Sequence, residues 1–188
     1  VRRLNPRQAP TGRTTVVYDP RVAVSLIGHL SSAINGAAIA RKTSFLREKL
    51  GAEIFAAGIQ VDDDPTRPRA PASRPFDGEG LAPRPLRVIE DGVLKTWFLD
   101  TASARELGLV SNARAMRGGG DPSPGPTNLT LRPGSRTPQE LIAALGDGIY
   151  VTELIGHGVN QITGDYSRGA AGFMIRGGEL AEPVSEIT

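Results

Sequence analysis

One stretch restricts the possible folds more than any other. Asp19 to Gly51 is the longest run able to be helical in a chain otherwise broken up by 23 glycines and 15 prolines. Asp19 suits an N-cap, because its carboxylate can accept from the unpaired amides of a first turn, and Pro20 has the φ that a first helical position needs. Ala23, Leu26, Ile27, Leu30, Ile34 and Ala37 recur at helical spacing as an apolar stripe, and Ser25, Gly28, His29, Ser32, Asn35 and Gly36 as a small, polar one. Gly36 weakens the middle of the run. The pattern therefore predicts two consecutive helices, over 20–35 and 37–50, with Gly51 as the second stop.

Strand and turn signals fill the rest. Thr14–Tyr18 reads as a strand leading into Asp19, and Ala52–Ala56 and Gly58–Val61 as extended segments ended by a solvated Asp62-Asp63-Asp64-Pro65. Residues 65–75 hold four prolines with Arg67, Arg69 and Arg74, which favours an extended loop. Leu86–Ile89 and Val93–Leu99 flank Asp91-Gly92, a tight-turn pair, and place Trp97 in the second strand of a hairpin. Asp100 caps a short helix over 101–107 closed by Gly108; Thr127–Leu131 reads as a strand; Thr137-Pro138-Gln139-Glu140 is a capping box opening a helix that runs to Gly146. Ile149–Ile155, Ala170–Ile175 and Glu179–Val184 are strands joined by the glycine-rich stretch 156–164 and by Gly177-Gly178. With no βαβ alternation, the expected class is α+β: a mainly antiparallel sheet in meanders and hairpins, with three or four interspersed helices.

At 188 residues the chain has the size of one domain, and 1–188 is read as such. It opens at Val1 without Met and stops at Thr188 in what reads as a strand, so both ends are expected to be cut from a longer protein. The absence of cysteine excludes disulfides and thiolate metal sites and suits the cytoplasm. No apolar run approaches the ~20 residues of a membrane span. A formal net charge of +2 supplies no global field for nucleic acid.

Catalytic chemistry finds little to work with. A hydrolytic zinc needs about three protein ligands; His29 and His157 with Asp165 are the most this chain could assemble. Ser167 lies near His157 in sequence, but no G-x-S-x-G elbow is present. Gly118-Gly119-Gly120 lacks the following Lys-Ser or Lys-Thr of a phosphate loop, and Gly156-His157-Gly158 does not open a helix. Both read as surface loops, or as surfaces where a missing Cβ lets another strand approach.

Several stretches together resemble the C-terminal domain of the TldD/PmbA family, formerly described as modulators of DNA gyrase. They are Phe76-Asp77-Gly78-Glu79-Gly80, Glu90-Asp91-Gly92-Val93-Leu94, Pro122 to Asn128, Tyr150 to Gly156, Gly164 to Phe173 and Pro183 to Thr188. The resemblance implies a heteromeric metallopeptidase in which one subunit carries an HExxxH helix. Anchored on Gly36 and Thr43-Ser44, that motif falls with Ile27 and Ser32 at the histidine positions and Gly28 at the glutamate. The chain is thus identified with the PmbA/TldE branch, the C-terminal part of a metal-free subunit with no catalytic residue and no cofactor of its own. Metal, zinc by expectation, belongs to the partner. The partners implied are a TldD-like metal-bearing subunit and unfolded peptides undergoing maturation or degradation, with a homodimer when alone, no nucleic acid and no membrane, in the cytoplasm. Candidate substrate contacts are His29 on the pseudo-active helix, and Gly118, Gly119, Asn128, His157 and Gly158 in loops. The rival readings are a regulatory protein acting on gyrase or DNA, and a self-sufficient hydrolase using Ser167, His157 and Asp165.

Overall fold

Asp19 starts the first helix as its chemistry requires. The computed structural model, which describes residues 4–188, places two short strands, β1 (Arg7–Gln8) and β2 (Val16–Tyr18), before helix α1 (Pro20–Ala33). A carboxylate oxygen of Asp19 accepts from the Arg21 amide at 3.0 Å, and its carbonyl accepts from Val22 and Ala23. The helix ends at Ala33 because the next residues bond elsewhere: Phe98 donates its amide to Ile34, and Gly36 donates to Phe98. Asn35, in an extended conformation, then caps α2 (Gly36–Ala40), its Oδ1 accepting from Ala37 and Ala38.

The second helix expected over 37–50 stops at Ala40, which corrects the sequence reading. Lys42 adopts a left-handed φ of 60°, and the amides of Lys42 and Thr43 close back onto the carbonyls of Ile39 and Ala38. That is a Schellman ending, normally built on glycine. Turns replace helix up to Gly51.

The remaining elements are β3 (Val61–Asp63), β4 (Leu86–Glu90), β5 (Val93–Leu94), α3 (Thr101–Glu106), β6 (Ala115–Met116), β7 (Ser123–Pro124), β8 (Leu129–Leu131), α4 (Pro138–Leu145), β9 (Gly148–Ile155), β10 (Gly169–Arg176) and β11 (Glu179–Ile187). The architecture is α+β, with four helices among the described residues. Its strand pairings are antiparallel except for β1 with β11 and β2 with β9.

The chain packs as two compact units. One comprises the described residues through Leu26, Pro133–Asn160 and Asp165–Thr188. Its sheet runs β1-β11-β10-β9-β2, a β9–β10–β11 meander with one parallel strand added on each side. Ile149, Val151, Ala170 and Val184 form its buried centre, with Tyr18, Val22, Leu154 and Met174 packed against it. The capping box of Thr137 and Glu140 forms as expected, and Gly146 ends α4 at φ 74°.

The other unit comprises Ile27–Arg132 and Gln161–Gly164. Its larger sheet runs β5-β4-β3-β8, and β6 pairs with β7. Asp91 and Gly92 both take positive φ, the turn that their sequence predicts. Ile34, Val61, Val88, Ile89, Leu94 and Phe98 are fully buried at its centre, each contributing roughly 1.5–3 kcal/mol by leaving water. Trp97 lies past the end of β5 rather than inside the strand, because the backbone there bonds to Asn112 and Ile34 instead of continuing the ladder. The aspartate run does not end a strand in solvent either. Asp62 and Asp63 are within β3, on alternate faces: Asp62 pairs with Arg87 and Arg132, and Asp63 is fully buried.

Candidate functional site

Two of the family-like stretches, 76–80 and 122–128, make bonds to α3 and to the α1–α2 junction. Asp77, almost fully buried, accepts from the amides of Glu79, Leu81 and Ala115 and so fixes the turn that follows it. Glu79 accepts from the amide and hydroxyl of Thr101 at the start of α3. Asp100 and Ser103 make a reciprocal capping box on the same helix. Pro124 offers its carbonyl to the side-chain amide of Asn35, at 2.6 Å, at the junction of α1 and α2.

Ile27, Gly28 and Ser32 lie on α1, Ile27 half-buried and the other two exposed. Ser32 Oγ donates back to the Gly28 carbonyl at 3.1 Å, within its own helix. An alkyl chain, a hydroxymethyl and a hydrogen provide neither metal ligands nor a general base. Among the described residues no group of three histidine or carboxylate side chains could hold a metal ion. The residues present do not fit a hydrolytic metal.

The candidate contact residues fall in both units. His29 is half-buried on α1, and Gly118 and Gly119 are exposed in the β6–β7 loop, where a Cβ would meet nothing within 4 Å. Asn128 is engaged within its own unit: its amide nitrogen donates to the Asp64 carbonyl and to Ser73 Oγ, and its oxygen accepts from Ala72. His157 and Gly158 come together, exposed, on the β9–β10 loop. A Cβ on Gly158 would collide with the backbone of Ser167, whose amide donates to the Gly158 carbonyl at 2.7 Å. Glycine is thus required there by the two loop arms. Ser167 and His157 make no hydrogen bond with each other among the described residues, and His29 belongs to the other unit.

Two clusters in the first unit escaped the sequence reading. Tyr150 on β9 donates to Asp19 Oδ2 at 2.9 Å, while Arg21 Nε donates to Oδ1 at 2.9 Å. Arg21, then Tyr150, hold the Asp19 carboxyl far below its usual 3.8, and burial together with Asp19 raises the Tyr150 phenol. Tyr18 and Tyr166 share a hydrogen bond beside a trough of about 510 Å³, and burial and then Tyr166 raise the Tyr18 phenol. No local signal announced either cluster, because Tyr150 lies 131 positions from the Asp19 it meets and Tyr166 still farther from Tyr18.

The Asp19 cluster has a measurable consequence. Its folded pKa is depressed, so its stabilising effect is complete above the unfolded value of 3.8 and is lost as pH falls below that value. Arg21→Ala is expected to move the Asp19 pKa upward more than Tyr150→Phe does, as read from carboxyl-carbon NMR titration. A Tyr150→Phe shift exceeding that of Arg21→Ala contradicts this ordering.

Comparison with known proteins bears on these observations. The sequence profile of the PmbA/TldA metallopeptidase C-terminal domain matches residues 11–188. The metalloprotease PmbA of Escherichia coli O157:H7 is 40% identical over 186 residues, which are 99% of this chain and 40% of that protein. A PmbA homolog of Haemophilus influenzae is 38% identical over 191 residues, 100% of this chain and again 40% of the relative. A crystal structure from Bacteroides thetaiotaomicron, described as a candidate modulator of DNA gyrase, is 34% identical with a TM-score of 0.89, over 98% of this chain and 40% of that one. TldE of Thermococcus kodakarensis has the same fold, with a TM-score of 0.83 at 22% identity, over 96% and 42% of the two chains. The chain spans about 40% of the length of the curated relatives it matches.

Proposed function

The chain belongs to the PmbA/TldA metallopeptidase C-terminal-domain family, and from that premise we propose that it serves as a non-catalytic, PmbA/TldE-like part of a two-subunit metallopeptidase acting on unfolded peptides. In this reading the metal, zinc by expectation, is held by a TldD-like partner in the cytoplasm, and this chain helps enclose the peptide above it. The observation that carries the reading is the chemistry of α1. Where a metal-bearing relative needs two imidazoles and a carboxylate, this helix has Ile27, Ser32 and Gly28, and Ser32 bonds to its own backbone. The relatives named metalloproteases support the peptidase side.

Reconstitution tests it. The whole protein alone is expected to bind no stoichiometric zinc and to leave an unfolded peptide intact, and mixing with a metal-bearing family member should produce chelator-sensitive cleavage. Chelator-sensitive cleavage by the whole protein alone contradicts the proposal. A second reading, regulation of gyrase or DNA, is favoured by the descriptions of the Bacteroides structure and of one from Thermotoga maritima as candidate gyrase modulators. Of the three arginines that could meet phosphates, Arg74 has its Nε and Nη2 buried, which leaves Arg67 and Arg69 exposed.

A further inference from the structure

β8 is the last strand in the order β5-β4-β3-β8, so one of its sides has no strand beside it in this sheet. Its register with β3 pairs Val61 with Leu131, Asp62 with Thr130 and Asp63 with Leu129, and the Arg132 amide donates to the Gln60 carbonyl at 2.9 Å. In an antiparallel ladder successive residues turn their amide and carbonyl alternately toward and away from the neighbour. Thr130 and Arg132 therefore face β3, and the backbone groups of Leu129 and Leu131 face outward. No hydrogen bond among the described residues uses those outward groups.

A wall stands beside this edge. The proline-rich loop is tied to β8 through Asn128, which holds Asp64, Ala72 and Ser73, while Ser73 Oγ donates to the Arg67 carbonyl. Between loop and strand lies a trough of about 530 Å³, lined by Arg67, Arg69, Ala72, Thr127, Leu129 and Thr130 among others. Arg69 is held at a left-handed φ of 57°, a conformation costing a non-glycine residue about 1 kcal/mol or more. Arg67 and Arg69 are exposed and form no hydrogen bond or ion pair through their guanidinium groups among the described residues. The nearby Asp64 carboxylate is occupied by the amide and hydroxyl of Thr66.

We propose that this trough takes an extended, acidic peptide segment as a further strand on β8. Its backbone pairs with Leu129 and Leu131, and its carboxylates reach Arg67 and Arg69. The inference rests on the reading that this chain handles unfolded peptides, and adds which of their sequences it holds and where. The edge itself selects the class of partner. It presents donors and acceptors in alternation along a strand, which a second strand matches and a phosphodiester, having acceptors only, does not.

The test uses the whole protein and fluorescence anisotropy with a labelled peptide of alternating glutamate and valine, against the same peptide with lysine for glutamate. The acidic peptide is expected to bind about tenfold or more tightly than the basic one, and Arg67→Ala/Arg69→Ala to remove about that factor together with its salt dependence. Leu131→Pro deletes one outward amide while leaving the ladder to β3 untouched, so it should weaken binding with the far-ultraviolet circular dichroism unchanged. Methylating alternate amides of the peptide, which needs no protein variant, should do the same. Equal binding of both peptides, indifference to methylation, or displacement of the acidic peptide by duplex DNA at those arginines refutes the proposal. Failure is separable from that of the functional reading. A partner that confers no cleavage removes the role while leaving acidic peptide on β8, and cleavage with no acidic preference removes only the edge site.

Discussion

Asp63→Ala is expected to destabilise the protein by about 3–5 kcal/mol, the range for removing one partner of a buried ion pair. Asp63 and Arg114 are both fully buried, with Arg114 Nε donating to Asp63 Oδ2 at 2.6 Å. The rest of the guanidinium is spent on carbonyls: Nη1 donates to Asn112 at 2.8 Å, and Nη2 donates to Arg84 at 2.7 Å. Asp63 in turn accepts the amide and hydroxyl of Thr127, joining β3 to the segment that enters β8. Burial pulls the Arg114 guanidinium below its ordinary value, while Asp63 pulls it back up. Removing Asp63 leaves the first effect without the second and orphans two groups of Thr127. The pair itself is weak evidence for net stability, because taking both charges out of water costs about what their attraction returns. Asp63→Leu/Arg114→Met is accordingly expected to recover only part of the loss, because the Thr127 amide and hydroxyl stay without an acceptor and the carbonyls of Asn112 and Arg84 lose their donor. Denaturant unfolding of the two variants decides the matter. A single variant within ~1 kcal/mol of the parent shows that the pair does not hold this part of the sheet.

The same pair shows where sequence reading stops. Asp19, Asp100, Thr137 and Asp91-Gly92 each act through bonds within a turn or two, so the starts of α1, α3 and α4 and the β4–β5 hairpin were legible. Asp63 was read as solvated because the residue that neutralises it lies 51 positions away. α2 was read ten residues too long because its stop is a lysine in the left-handed region, which no composition rule marks. The parallel strands β1 and β2 join a sheet whose other members lie far along the chain, and nothing local announces that pairing. At the site, periodicity placed Ile27, Gly28 and Ser32 on one helix, and only resemblance gave those positions meaning. Asn128 was read as lying inside a strand over 127–131, whereas β8 begins at Leu129, and its work in holding the arginine loop required coordinates.

Gly36→Ala is expected to destabilise the protein by about 1–3 kcal/mol although alanine is the better helix former. Propensity alone favours the change by ~1 kcal/mol. Against that stands the geometry of the α1–α2 junction: a Cβ at residue 36 would lie 2.5 Å from the Phe98 carbonyl oxygen, 2.7 Å from Leu99 Cδ2 and 2.8 Å from Ser103 Oγ. The first of these cannot give way cheaply, since the same oxygen accepts the Gly36 amide at 2.8 Å. Overpacking of this kind costs roughly 1–3 kcal/mol, and losing the bond adds about 1 kcal/mol. Moving Gly36 also moves Asn35, whose amide ties α2 to Pro124. Gly28→Ala is the matched control, because it lies within α1, is exposed, and has nothing within 4 Å of its added Cβ. It should stabilise the protein by about 0.5–1 kcal/mol. Opposite signs in thermal unfolding for two glycines eight residues apart separate close approach from propensity. A neutral or stabilising Gly36→Ala means that helix α2 is free to shift away from Phe98, and that the α1–α2 junction is not fixed by this contact.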